Sequence, residues 1–244
     1  NVWIDDHFRS LYPWRWLHTG AFRDHTPLLN PPTDEASMIL NNPWAHLRLD
    51  LESGSFFEEP NPCPTPESLY NLCDLDFCTE IFASTFPVQM QLAKEGVSDV
   101  RIDILRNAAE VLDMPAPQNN DANLATIADD LYMRATLLSS IEILKKVQAF
   151  CDDAGKKLMV FLSYSSADVV RACEGGDRWD TLFLNWVSEA GIPLVDTLRS
   201  HVEDFALFNL TPSEYINRYY IGHYSPVGNH FFAFAVKEAL TEWL

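Results

Sequence analysis

Twice in its C-terminal half the chain runs a helix-patterned segment into a glycine and then into a short apolar strand. No other feature constrains the fold as tightly. The first helix is expected over 121–153, where Leu124, Ile127, Ala128, Leu131, Ala135, Leu138, Ile141 and Leu144 share one face. Asp121 suits its cap and Gly155 its stop, and the apolar segment 158–162 reads as a buried strand. The second helix is expected over 177–190, stopped by Gly191, with a strand at 192–195. Helix, glycine and strand in this order form half of a right-handed β-α-β unit. The expectation is therefore an α/β fold, a three-layer sandwich with a central parallel sheet and helices on both faces.

At 244 residues the chain is long enough for one sizeable core, and a single domain over 1–244 is the default. The first 66 residues read as an irregular, aromatic-rich arm punctuated by prolines, with a short strand at 47–51. Trp14, Trp16 and Phe22 in this arm are candidates to wall a binding cleft. Residues 67–114 look helical, in pieces starting near Pro66, running from Cys78 to Lys94 with an interruption near Pro87, and spanning 103–112.

Seventeen basic residues against 35 acidic ones give a net charge of −18. That balance disfavours nucleic acid and anionic membranes as partners. Apolar runs are too short to span a bilayer, so a soluble protein is expected, cytoplasmic or secreted after processing. The five cysteines lack a C-x-x-C pair and match no standard zinc spacing; free or buried thiols, or a disulfide, fit them. No nucleotide-binding motif is present, and neither a metal nor a cofactor is expected.

The segment Gly222-His223-Tyr224-Ser225-Pro226-Val227-Gly228-Asn229-His230 leads into a final helix. Ser225 and Pro226 suit a cap and a first helical position. Phe232, Val236, Ala239, Leu240 and Trp243 mark that helix's buried face. His223 is thereby left on the preceding loop, where a histidine can serve as a general base. His230 falls within the helix, where a structural role is expected. Asp196 follows the strand 192–195, placing a carboxylate at the sheet edge where ligands gather in open α/β folds. Ser163 and Ser165 follow the strand 158–162 toward the same edge. Glu203 and Asp204 are expected to be solvated.

The block from Gly222 to His230 resembles the C-terminal histidine block of the SGNH/GDSL hydrolases, and the strand–helix order over roughly 121–244 is similar to that family. The resemblance implies an SGNH-hydrolase-like sandwich and hydrolysis or transfer of an acyl group, on an ester or an acylated carbohydrate, by a serine–histidine mechanism. It implies His223 as base, Ser55 in Ser53-Gly54-Ser55-Phe56 as the nucleophile and Asn120 as an oxyanion donor. The candidate acid partner is Asp196, from its place at the strand end, and a backbone carbonyl orienting His223 in a dyad is the alternative. Ser163, Ser165 and Trp16 would line the site. The family's G-D-S strand is not recognisable, and Tyr220 and Ile221 stand where its acid precedes the histidine. A serine upstream of Asn1 is the alternative nucleophile. Two other functions fit the same scaffold: an inactive domain that binds carbohydrate or protein, and a lyase with a histidine base.

Overall fold

The computed structural model describes residues 1–11, 43–96, 100–118 and 122–244. These fall into two compact units, one of residues Asn1–Asp6 and Ile143–Leu244, the other of His7–Glu142.

Among its described residues the unit His7–Glu142 is helical with one hairpin. Strands β2 (His46–Leu49) and β3 (Phe56–Glu59) pair antiparallel, with Arg48 opposite Phe57. Leu47 and Leu49 alternate inward while Arg48 faces out, the period-2 pattern of a half-buried strand. Helices α2 (Leu75–Phe82), α3 (Phe86–Lys94) and α4 (Ile102–Val111) follow a short 3-10 turn at Ser68–Cys73. The break expected near Pro87 lies just before it, because proline is accepted in a first helical turn, where no N–H is needed. Every residue of α3 from Phe86 to Ala93 is buried, including Gln89. That glutamine is satisfied on both sides, donating to the Ala83 carbonyl and accepting from the Arg101 N–H. Leu72, Phe82, Met90, Leu105 and Leu131 form the centre of this core. Each such side chain contributes about 1.5–3 kcal/mol by burial.

Helix α5 (Leu124–Asp153) belongs to this unit up to Glu142 and to the other from Ile143 onward. In the second unit it is followed by β4 (Val160–Ser163), α6 (Ser166–Cys173), α7 (Thr181–Glu189), β5 (Leu194–Asp196), α8 (Thr197–Phe205), α9 (Pro212–Tyr219) and α10 (Pro226–Trp243). The chain's first residues supply β1 (Val2–Trp3), which leads into α1 (Ile4–Arg9). The sheet order is β1-β4-β5, all parallel, with Val160 opposite Leu194 and Leu162 opposite Asp196. The two segments preceded by helix and glycine thus do pair in parallel.

The three-layer sandwich with a central parallel sheet is nevertheless not what forms. Among the described residues the parallel sheet has three strands of two to four residues, and the other sheet is the antiparallel β2–β3 hairpin. Two physical reasons are visible. Asp196 and Ser165 cap helices immediately after β5 and β4, so those strands end almost as they begin. Among the described residues, those between 67 and 142 bury their apolar side chains helix against helix and add no strand to the sheet.

Candidate functional site

The C-terminal ends of β4 and β5 carry a dense polar cluster. Asp196 caps α8 by accepting from the Leu198 N–H, and it also pairs with the Arg178 guanidinium. Arg178 reaches Asp180 as well, through Nε and Nη2 at 2.9 Å each, and donates to the Tyr164 hydroxyl at 2.6 Å. Tyr164 in turn donates to Asp180 at 2.7 Å. Burial acts to raise the Asp180 pKa, but the bonds from Arg178 and Tyr164 outweigh it and hold the carboxyl below its ordinary value. Burial pushes the Tyr164 phenol up, with Asp180 adding to the effect. The crevice beside this cluster encloses about 10 Å³, too little for more than one water. The geometry is that of a clasp joining the loop before α7 to the start of α8.

Next to it lies a buried histidine. His201 on α8 is fully buried and stacked on Phe231 at 4.1 Å. Tyr215 donates to Asp204 at 3.0 Å, so its oxygen is free to accept from His201 Nδ1–H, also 3.0 Å away. The Nε2 lone pair then accepts from the Tyr224 hydroxyl at 3.0 Å. Tyr219 donates to the same Asp204 oxygen at 2.8 Å, and its own pKa is pushed up to about 12, chiefly by burial. This proton arrangement satisfies every member of the chain Asp204–Tyr215–His201–Tyr224. Burial lowers His201 from its ordinary 6.5 to about 3, so it stays neutral at physiological pH.

His223 stands in contrast, exposed on the loop between α9 and α10. The loop is pinned at both ends. A β-bridge joins Tyr220 to Tyr224, and the Ile221 N–H donates to the His223 carbonyl at 2.8 Å. Gly222 takes a left-handed φ of 95°, which a side chain would strain. Ser225 donates its N–H to Tyr219, and its hydroxyl caps the Gly228 N–H. Gly228 is required by space, since an added Cβ would lie 2.2 Å from the Tyr219 carbonyl oxygen.

The other residues expected at a site are placed as follows. The Ser163 hydroxyl donates to the Asn1 side chain at 2.8 Å. Ser165 caps α6 and donates to Asp168 at 2.5 Å. Asp196 is held by Arg178 as described, and His230 is exposed. Ser55 lies beside the β2–β3 turn, in the unit His7–Glu142, while His223 belongs to the other unit. Trp16, with Trp14 and Phe22, and Asn120 lie outside the described residues. Asp204, expected to be solvated, is instead the anchor of two tyrosines. None of the five cysteines is in a disulfide, and burial pushes Cys78 up to about 12, which keeps it protonated.

Sequence reasoning missed Arg178, Asp180 and His201. A signal for the last existed in the tyrosines at 215, 219, 220 and 224, whose spacing brings aromatic hydroxyls together around one point. It also missed a buried serine–histidine contact, His7 Nδ1 to Ser140 Oγ at 2.7 Å. Ser140 sits inside α5 with its hydroxyl directed back to the Thr136 carbonyl, and both partners are buried. The imidazole therefore donates, and the pair pins the helix without activating the serine.

Among the described residues no group of histidine, cysteine and acidic side chains has the geometry to hold a metal, and no helix is long and apolar enough to cross a membrane. No known protein family, no curated protein and no solved structure matches this chain.

Proposed function

We propose that the chain hydrolyses an ester or transfers its acyl group, on a small ester or an acylated carbohydrate, with His223 as the base. The observation that carries this reading is the position of His223. It is an exposed imidazole on a loop whose backbone is fixed by the Tyr220–Tyr224 bridge on one side and the Ser225 cap on the other. A base so held loses little freedom on engaging a substrate. It would take the proton of an attacking serine hydroxyl and return it to the leaving alcohol.

The test is turnover of p-nitrophenyl acetate with parallel labelling by a fluorophosphonate. Peptide mapping of the adduct would name the serine. His223→Ala should lower turnover by about 10²–10⁴-fold and leave the melting curve unchanged. Full activity in that variant would overturn the role.

A second reading, a binding domain without turnover, draws on one specific observation. The Asp196 carboxylate is engaged by Arg178 and by its own helix cap, and Ser165 is engaged by Asp168. A wild-type chain that neither turns over the ester nor takes the label would select it.

A further inference from the structure

The unit His7–Glu142 contains a cavity of about 260 Å³ alongside β2 and the turn that begins α3. His46, Arg48, Glu52, Phe57, Ser84 and Pro87 are among its walls. The His46 side chain is only 6% exposed. Its Nδ1 lies 3.1 Å from the Trp44 carbonyl, which can only accept, so that nitrogen carries the proton. Nε2 is then a buried lone pair. Glu59 Oε2 stands 4.0 Å from it, beyond hydrogen-bond reach. Burial lowers the imidazole's pKa, so at neutral pH Nε2 remains an acceptor, and among the described residues no donor meets it. A buried acceptor without a donor is costly unless something supplies one.

The remaining walls narrow what that something is. Arg48 is paired with Glu59 and lies over the Phe57 ring, so its charge is already balanced. Asp50 and Glu52 add negative charge at the rim, which repels an anion. Phe57, 42% exposed, and Pro87 offer apolar surface. A fitting ligand carries hydroxyl donors, has an apolar face and bears no negative charge. At about 260 Å³ the space suits one small ring.

We infer that this cavity binds a neutral sugar ring, with His46 Nε2 accepting from a ring hydroxyl and Phe57 packing against a C–H face. The inference concerns binding in the other unit from His223 and stands whether or not esters are turned over.

The experiment is saturation-transfer NMR and calorimetry of the full chain with methyl α- and β-hexopyranosides. Methylamine and acetate serve as cationic and anionic controls. Saturable millimolar binding of at least one glycoside is expected, weakened about tenfold or more by Phe57→Ala and by His46→Leu. Phe57 is exposed, so its variant keeps the test valid if His46→Leu fails to fold. Absence of saturable glycoside binding by the folded wild type would overturn the inference. So would binding that Phe57→Ala leaves unchanged, or preference for either charged control.

Discussion

Two histidines 22 residues apart, in the same unit, meet opposite surroundings. His201 is enclosed by Tyr215, Tyr219, Tyr220, Tyr224 and Phe231, with both ring nitrogens engaged. His223 lies out on a loop that the same tyrosines help to shape, since Tyr220 and Tyr224 form its bridge. One imidazole holds the fold together; the other is presented by it. The difference teaches that a histidine's role here follows from what packs over it rather than from the motif it stands in. Tyr224, inside the histidine block, serves the buried histidine.

The comparison can be broken first at the clasp supporting the buried region. Arg178→Met removes the cation from Asp180, whose side chain is 2% exposed. Stranding that carboxylate should cost about 3–5 kcal/mol in urea unfolding. A loss below about 1 kcal/mol would mean the clasp does not hold the region.

Gly228→Ala comes next. It forces the first turn of α10 off the Tyr219 carbonyl, with an expected loss of about 1–3 kcal/mol and a displaced His223 loop. Unaltered ester turnover together with unaltered stability would show that the loop is not anchored there.

His201→Leu leaves the Tyr215 and Tyr224 hydroxyls without their shared partner and should cost about 1–3 kcal/mol. It also sharpens the comparison through pH. The folded pKa of His201 lies at about 3, below its ordinary 6.5, so the unfolded chain binds a proton that the folded chain does not. Stability is then full above about 6.5 and falls as pH drops from there toward about 3. Asp180, lowered in the fold, adds a further loss as pH falls through its own carboxylate range. His46, also lowered by burial, gives a loss of the same sign, so urea midpoints measured against pH should keep that part and lose the rest of the upper slope in His201→Leu. A variant that keeps the wild-type slope between pH 6.5 and 4 would remove His201 as its source.

The smallest effect belongs to the exposed partner. His223→Ala should change stability by less than about 0.5 kcal/mol. A larger loss would place His223 with the structural histidine and erase the contrast.

Much of the local structure was legible. The Ser225-Pro226 start of α10, the glycines after α5 and α7, and the parallel neighbours β4 and β5 all follow from short-range signals. The fold class did not. Apolar segments of four or five residues look alike whether they end in a long strand or turn at once into a helix, and Asp196 and Ser165 cause the turn here. The candidate site was legible only at its exposed end. His201, Arg178 and Asp204 carry no motif of their own, and Asp204 reads as a surface residue because its tyrosine partners lie 11 and 15 residues away.

The sequence by itself determined where α5, α7 and α10 start or stop and that β4 and β5 are extended, because caps, glycines and apolar spacing act within a few residues. Only the tertiary structure decided how many layers form, which histidine is buried and which carboxylates are paired. Burial and ion pairing depend on groups far apart in the chain, and no local pattern encodes the arrival of Arg178 beside Asp196 or of Phe231 over His201.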